Sequence, residues 1–276
     1  MRLKLFLWYL MVASVTVFVT GCSDYNKVLK STDMEYKYQR AVEYYNKGEC
    51  YKALPLLEEL IGLTRGTQRA EDVYYYFGKS QYCVKDYYLA NYYFKTFSKT
   101  FSNSARAEEC QFLAAYCSYM VSPNYTLDQT DTKLSIDEFQ LFLDKYPNST
   151  LRDSANKMVA TLNYKLELKD VDIAKQYVKT QKYKAAVSAL KEVLKNYPAT
   201  KFKEELLYLI VFANYEYASG SVEDKKLERF RATNESYITF ATAFPESKWL
   251  KEAETYYIRS SRQIEKLTST ASKSTE

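Results

Sequence analysis

A fixed spacing between small residues and helix-stopping sites constrains the fold of this chain more than any other feature of its sequence. Five times, a small residue stands twelve positions before a stop site, in the pairs Ala53 and Arg65, Ala90 and Ser102, Ser135 and Pro147, Ala186 and Pro198, and Thr233 and Pro245. Small residues allow two helices to cross closely, and proline disfavours helix in the residue before it. The repetition therefore predicts a stack of similar helical units.

The last four stop sites share nearly the same local sequence. Each has an aromatic residue before the stop and a Ser or Thr two positions after it, in Phe101–Ser104, Tyr146–Ser149, Tyr197–Thr200 and Phe244–Ser247. A hydroxyl at such a position can cap the next helix. Each of these segments is therefore predicted to end one helix and to start another.

A second set of small residues lies twelve positions before the first set, at Ala41, Gly78 and Ala174. Two helices per unit follow from this second spacing. The pattern resembles the tetratricopeptide repeat (TPR), in which aromatic, Gly, Ala and Phe positions recur at set distances. We therefore predict an all-α fold, an α-solenoid of about five TPR-like helix pairs.

Two units depart from the spacing in the same way. Ala115 and Ser135, like Ala213 and Thr233, are 20 positions apart instead of 12, so each unit has eight extra residues. Turn-forming residues predict that the extra residues are loops between the helices, near Ser122–Tyr125 and Ser219–Val222. Such loops are either contact points for a partner or passive insertions.

The distance from Pro147 to the next unit is about 14 residues too long, and no Gly or Pro interrupts residues 148–196. One long helix over about 151–179, roughly 20 Å longer than its counterparts, accounts for this. We therefore predict two lobes joined by that helix. Repeats 1–3 occupy 34–150, the long helix with repeats 4–5 and a capping helix occupies 151–266, and 267–276 is a disordered tail.

Residues 1–21 have the layout of an export signal. A short positive end precedes an apolar run that is too short to span a membrane comfortably, and small residues follow. The segment Val19–Cys22 resembles a lipoprotein signal, in which the chain is cut before Cys22 and that thiol carries a diacylglycerol, with an acyl chain on the new N-terminus. Residues 22–33 would then be a lipidated tether, although an uncleaved anchor or a plain secretory signal is the alternative.

The composition excludes several functional classes. The chain has no histidine, which removes Ser-His and Cys-His nucleophilic sites and most zinc centres. Its net charge of +5 falls to +3 when Arg2 and Lys4 are removed with the signal, too weak an excess for a nucleic-acid partner. We expect no enzyme activity, no metal site and no cofactor besides the covalent lipid.

Four cysteines remain after Cys22, an even number in an exported chain. Cys110 and Cys117 are seven positions apart on a predicted helix, about 10 Å along its axis, so they cannot form a disulfide with each other. Cys50 and Cys83 either form a disulfide or, like the other two, act as small packing residues.

The inner helix of each TPR unit lines a groove, and the register assigns the positions that face it. In repeats 1–3 these positions are aromatic, namely Tyr38, Tyr45, Tyr75, Tyr82, Phe112, Tyr116 and Tyr119. Tyrosine combines a large contact area, little rotamer entropy and a hydrogen-bonding tip, which suits an extended peptide. The alternative is that these rings pack between repeats, since the chain must accommodate 29 tyrosines.

The lipoprotein signal, the five TPR-like units and the chain length together resemble the D lipoprotein of the outer-membrane β-barrel assembly machinery, the BamD family. The likeness is strongest from about Phe139 to Thr200. There the Tyr-Pro-Asn-Ser segment precedes a long helix and a second Tyr-Pro pair, with further matches at Asp153, Ala155, Leu162, Ala174, Tyr177 and Tyr183.

The resemblance implies a non-enzymatic lipoprotein on the periplasmic face of the outer membrane. It implies two partners: the periplasmic domains of a BamA-like barrel protein, bound by the C-terminal repeats, and C-terminal signals of unfolded barrel substrates, received by the N-terminal repeats. Another periplasmic TPR adaptor, coordinating envelope constriction or peptidoglycan synthesis, is an open alternative. A further alternative is a sugar-binding or lytic enzyme with a hidden carboxylate site.

Overall fold

A computed structural model describes residues 24–273, with side chains to residue 269, and this part of the chain contains helices and no strand. The predicted signal sequence and Cys22 lie outside the described residues. The helices are α1 (Met34–Asn46), α2 (Cys50–Leu63), α3 (Arg69–Cys83), α4 (Tyr87–Thr100), α5 (Ala107–Val121), α6 (Thr130–Lys145), α7 (Arg152–Lys179), α8 (Tyr183–Asn196), α9 (Lys203–Ser219), α10 (Glu223–Ala243) and α11 (Leu250–Lys273).

The chain forms two compact units, and their boundary lies inside α7, between Asn163 and Tyr164. The 28-residue α7 is the long helix that the sequence predicts. Its first part contributes Ala155 and Leu162 to the core of unit 1, and its second part contributes Ala174 to the core of unit 2. The boundary between the two units therefore lies after residue 150, where the predicted repeats 1–3 end.

The five stop sites all act where the spacing predicts. The helices α2, α4, α6, α8 and α10 each end two residues before the stop residue, at Leu63, Thr100, Lys145, Asn196 and Ala243. In all five, the residue after the helix still donates its backbone N–H to a carbonyl four positions earlier. The chain then leaves the helical conformation at the stop residue.

The Ser and Thr residues after the stop sites organise the next helix start, but they stand two residues before the N-cap position and do not cap the helix as predicted. Their hydroxyls accept the backbone N–H of the residue just before α5, α7, α9 and α11, at 3.0, 3.0, 3.1 and 3.2 Å. This is a Ser/Thr turn. Three of the hydroxyls also donate to a glutamate of the preceding unit's first helix, in the pairs Ser104–Glu71, Ser149–Glu108 and Thr200–Glu167.

The small residues of both spacings lie at close helix crossings, as predicted. Nine of them are fully buried, namely Ala41, Ala53, Ala90, Ala115, Ser135, Ala174, Ala186, Ala213 and Thr233. At the tenth, Gly78, an added Cβ would lie 2.9 Å from Cε1 of the fully buried Phe94. The crossing of α3 and α4 therefore requires glycine.

The extra residues of repeat three form a loop, as predicted. It covers residues 122–129 between α5 and α6. The buried side-chain amide of Gln129 donates to the backbone carbonyls of Asn124 at 2.8 Å and Leu127 at 2.9 Å. One side chain thereby holds together backbone groups of the loop.

The extra residues of repeat five are helical, which corrects the prediction of a second long loop. The connection between α9 and α10 is only 220–222, and the two helices are 17 and 21 residues long. Neither Lys203–Ser219 nor Glu223–Ala243 contains Gly or Pro, so nothing stops either helix earlier.

Cys50 and Cys83 form a disulfide, with their Cα atoms 6.2 Å apart, and it joins the start of α2 to the end of α3. Cys110 and Cys117 are free and buried. Burial raises the pKa of each free thiol to about 12, so neither is a nucleophile at physiological pH.

Both ends of the array are more ordered than the sequence suggests. Residues 24–29, within the predicted tether, form a helical turn, and Val28 is fully buried in the core of unit 1. At the other end, α11 continues to Lys273, past the predicted start of the tail at residue 267. None of the helices within residues 24–273 is long and apolar enough to cross a membrane.

Replacing Gly78 with Ala should lower the free energy of unfolding by about 1–3 kcal/mol, because the new methyl group overlaps the Phe94 ring. Urea denaturation followed by circular dichroism measures this change. The matched control is Gly62→Ala near the end of α2, where an added Cβ meets nothing within 4 Å. That change should stabilise by about 0.5–1 kcal/mol, and equal effects at both positions would contradict the crossing geometry.

Removing the disulfide by Cys50→Ala with Cys83→Ala should lower the free energy of unfolding by about 2–4 kcal/mol. The physical reason is that the bond closes a loop with a sequence separation of 33 and so restricts the unfolded chain. Adding reductant to the wild-type protein should lower stability similarly, with no effect on the double variant. Reductant that destabilises both proteins equally would show that another group is responsible.

Candidate peptide-binding groove

The seven aromatic residues predicted to line a groove are all half-buried. They lie on α1, α3 and α5, the first helices of the three repeats in unit 1. One side of each ring packs on one of three hydrophobic cores. Tyr38 and Tyr45 pack on the core that contains Leu57, and Tyr75 and Tyr82 pack on the core that contains Phe94. Phe112, Tyr116 and Tyr119 pack on the core that contains Phe139. The rings thus pack between repeats and also leave part of their surface accessible.

Ring contacts connect neighbouring helices. Tyr76 lies edge-on to Tyr38, Tyr45 and Tyr75, with ring centroids 6.2, 5.5 and 5.4 Å apart. On α5, the Tyr116 ring lies 6.2 Å from that of Tyr82 on α3 and stacks on the rings of Phe112 and Tyr119 at 6.3 and 5.9 Å. We call these eight residues, the predicted seven and Tyr76, the aromatic wall.

A chain of ion pairs crosses the same three helices at one end of the aromatic wall. Arg69 pairs with Glu35 at 2.9 Å and with Asp72 at 2.9 Å, and Asp72 pairs with Arg106 at 2.7 Å. Side chains of this exposure gain about 0–1 kcal/mol from each pair, so the pairs contribute little to stability. Their main effect is to hold two guanidinium groups in place.

Both guanidinium groups lie over tyrosine rings of the aromatic wall. Arg69 lies 4.4 Å from the centre of the Tyr38 ring, and Arg106 lies 4.5 Å from the centre of the Tyr75 ring. Cation–π attraction favours this arrangement. A cavity of about 440 Å³, lined by Thr67, Gln68, Arg69 and Asp72, opens beside the first of these contacts.

Tyr75 is the most highly connected ring of the aromatic wall. Its hydroxyl donates to Glu109 Oε2 at 3.0 Å, and Lys79 donates to Glu109 Oε1 at 2.9 Å while lying 5.6 Å from the Tyr75 ring. Burial raises the pKa of Tyr75 to about 12, with Lys79 lowering it and Glu109 raising it. Burial alone would lower the pKa of Lys79, but the hydrogen bond to Glu109 and the attraction of Tyr75, Glu109 and Tyr45 together outweigh it, so the pKa is raised.

The protonation states follow from these shifts. Tyr75 keeps its proton as a donor at physiological pH, and Lys79 stays positively charged. Tyr38 behaves in the same way, because burial and then Asp72 raise its pKa to about 12. The aromatic wall therefore presents ring faces, hydroxyl donors and cations, which suits a peptide with aromatic side chains and a carboxylate.

The seven residues predicted from the repeat register did not include five polar or aromatic neighbours, namely Arg69, Asp72, Tyr76, Arg106 and Glu109. The spacing of the repeats could have indicated four of them, Arg69, Asp72, Arg106 and Glu109. The units of the first three repeats are 37 residues long, from Ala41 to Gly78 to Ala115. The pairs Glu35–Arg69, Asp72–Arg106 and Tyr75–Glu109 are separated by 34 residues. Each residue therefore contacts a residue of the next repeat that lies three positions, about one helical turn, before its own equivalent in that repeat.

Unit 2 has a cavity of its own. Its volume is about 850 Å³, and residues at the start of α8 and the end of α9 line it, including Lys182, Tyr183, Lys184, Glu216 and Tyr217. This cavity is open and mixed in polarity. No group of His, Cys, Asp and Glu within the described residues could hold a metal ion.

The chain is similar to known outer-membrane proteins. A family profile described as "YfiO: Outer membrane lipoprotein" matches residues 30–229. "Outer membrane protein assembly factor BamD" of Rickettsia prowazekii is 29% identical over 142 residues, which are 51% of this chain and 53% of that protein. The protein of the same name from Haemophilus influenzae is 23% identical over 215 residues, 73% of this chain and 80% of that protein.

The alignment with the Rickettsia protein spans about half of that relative's length, whereas the family profile covers well over half of this chain. The helical architecture described above agrees with the resemblance noted in the sequence, and the resemblance is confirmed. The chain belongs to the YfiO family of outer membrane lipoproteins.

Proposed function

We propose that this chain is a non-enzymatic scaffold of the machinery that folds and inserts outer-membrane β-barrel proteins. It binds the periplasmic domains of a BamA-like barrel protein, and its aromatic wall receives the C-terminal segments of unfolded barrel substrates. Acyl chains on Cys22 hold it on the periplasmic face of the outer membrane. The aromatic wall is the observation that carries this proposal.

The names of its relatives support the general role. Both matched proteins are called outer membrane protein assembly factors. A scaffold needs surfaces that bind chains and no reacting groups. The buried thiols and protonated tyrosines described above agree with that requirement.

The chemistry of the aromatic wall supports a substrate segment that ends in an aromatic residue. The terminal ring would pack edge-on among Tyr38, Tyr75 and Tyr76, where ring pairs already adopt this geometry. The terminal carboxylate would then meet Arg106 and Lys79, which both lie over Tyr75. Their present anionic partners are partly solvated, so an incoming carboxylate can replace them at little cost.

The unit 2 cavity supports a separate site for the barrel-forming partner. A helix or strand of that partner could lie along Lys182, Tyr183 and Tyr217, where aromatic and charged groups alternate. Two sites in different units would allow substrate and partner to bind together.

A peptide that ends in phenylalanine should bind the wild-type chain at least about tenfold more tightly than it binds the Tyr75→Ala, Tyr82→Ala double variant, as expected for buried aromatic anchors. Photo-crosslinking and fluorescence anisotropy both measure this difference. The same peptide with a C-terminal amide should bind the wild-type chain more weakly, because it lacks the charge that Arg106 and Lys79 attract.

The matched control is Tyr88→Ala with Tyr92→Ala. These two tyrosines lie on α4 and are 64% and 61% exposed, so their removal also deletes two rings from unit 1 without touching the aromatic wall. Peptide affinity that falls equally in both double variants, or in neither, would sink the assignment of the wall. Circular dichroism of each variant verifies that the helices are intact.

Affinity purification from detergent-solubilised envelopes should recover a large outer-membrane barrel protein with periplasmic domains. This outcome follows if the lipoprotein is part of the barrel assembly machinery. Recovery of cell-wall synthases alone would instead favour an adaptor for peptidoglycan synthesis or envelope constriction. Mass spectrometry of the recovered proteins decides between the two functions.

A further inference from the structure

The segment that follows Cys22 is docked on the first repeat. Residues 24–29 form a helical turn whose Val28 is fully buried in the same core as Ala41, Tyr44 and Leu57. A buried valine of this kind contributes about 1.5–3 kcal/mol. The chain directly after the predicted lipid attachment site is thus part of the folded unit.

Polar and aromatic contacts fasten both ends of this segment. At its start, Asp24 pairs with Arg40 at 2.6 Å, and the Tyr25 ring lies edge-on to Tyr44 with centroids 5.7 Å apart. At its end, the buried Lys37 donates to the backbone carbonyl of Leu29 at 3.1 Å. Lys37 also pairs with Glu59 at 2.6 Å, so its charge is compensated.

These contacts define the direction of the segment. Leu29 lies beside Lys37 and so near the start of α1, whereas Asp24 and Tyr25 lie beside Arg40 and Tyr44, farther along α1. The Tyr25 hydroxyl also reaches the backbone carbonyl of Lys52 in the first turn of α2, at 3.4 Å. Going backwards along the chain, the segment therefore leads toward the turn between α1 and α2.

Few residues separate Cys22 from the docked segment. Cys22 precedes Asp24 by two residues, and two residues of chain span at most about 7 Å. If Cys22 carries acyl chains, as the proposed function requires, the turn between α1 and α2 must lie close to the membrane surface. We call its residues Lys47, Gly48, Glu49, Tyr51 and Lys52 the α1–α2 corner.

The α1–α2 corner has the chemistry of a membrane-surface contact. Tyr51 is 77% exposed and packs on no described core cluster. The side chains of Lys47 and Lys52 are 59% and 48% exposed, each forms a local ion pair, and Lys52 also lies 5.5 Å from the centre of the Tyr44 ring. Tyrosine prefers the headgroup level of a bilayer, and lysine is attracted to anionic headgroups.

We propose that the α1–α2 corner contacts the phospholipid headgroups of the membrane, held there by the docked segment 24–29. This proposal rests on the lipid anchor of the proposed function and adds an orientation to it. The first repeat then has one fixed edge at the membrane surface, instead of hanging from a flexible tether.

The test uses the full mature lipoprotein in vesicles of phosphatidylethanolamine and phosphatidylglycerol that contain a lipid with a nitroxide on its headgroup. Tyr51→Trp should lose more emission to the nitroxide than Tyr88→Trp. Tyr88 is the matched control, because it is 64% exposed and lies 37 residues later, at the equivalent position of repeat two. Trp249 contributes the same background to both variants, so the difference reports on the two sites.

Two further variants test the docked segment itself. Val28→Asp, and separately Asp24→Ala with Tyr25→Ala, should reduce the quenching of Tyr51→Trp to the level of Tyr88→Trp while the protein stays on the vesicles. The second variant keeps the buried Val28 and removes the Asp24 ion pair and the half-buried Tyr25 ring, so it serves even if the first one disturbs folding. Quenching that persists in the second, folded variant would show that docking does not position the corner.

The remaining outcomes separate this proposal from the proposed function. Mass spectrometry of the purified protein reports the acyl chains on Cys22, and Cys22→Ser should abolish them together with vesicle binding. A protein without acyl chains would overturn the anchor and the corner contact together. An acylated, vesicle-bound protein whose Tyr51→Trp and Tyr88→Trp variants are quenched equally would overturn the corner contact alone.

Discussion

The close crossing of the two helices within each repeat is the constraint on which the rest of the structure depends. Nine small residues with no exposed surface, and Gly78 against Phe94, let the helix axes approach until the larger side chains interlock. A larger residue at any crossing would change the angle of one helix pair. Because each pair is the platform for the next pair, such an error would propagate along the unit.

The same crossings determine which side chains of neighbouring repeats meet. Equivalent positions of neighbouring repeats are 37 residues apart, whereas the residues in contact are 34 apart. A residue on α1 or α3 therefore contacts a residue of the next repeat that lies about one helical turn before its equivalent. The same two arginines, Arg69 and Arg106, lie over Tyr38 and Tyr75 at a separation of 31 residues, which is about one further helical turn before the equivalent position. The chemistry of the aromatic wall is therefore a consequence of the repeat geometry.

Periodic features of the sequence were enough to predict the helix pairs, their ends and the long α7, because each depends on local residue type at a fixed spacing. The fifth repeat was predicted less well: Ser219–Val222 has turn-forming composition, yet uninterrupted helix formers on both sides extend α9 and α10. The docking of Val28 could not be predicted, since it depends on contact with a core built from residues 41–77 and not on local residue type.

The half-buried state of the rings decides what the aromatic wall can do. A fully buried ring would be part of the core and could not bind a ligand, whereas a fully exposed array of eight rings would promote association between copies of the chain. Here each ring keeps part of its surface on the core, which restricts its rotamer, and leaves the rest accessible, and two of the rings, Tyr38 and Tyr75, lie beside cations. Binding then costs little side-chain entropy, and the neighbouring charges keep the unoccupied wall hydrated. A surface of this kind can take up hydrophobic chain ends and release them again, as a folding scaffold must.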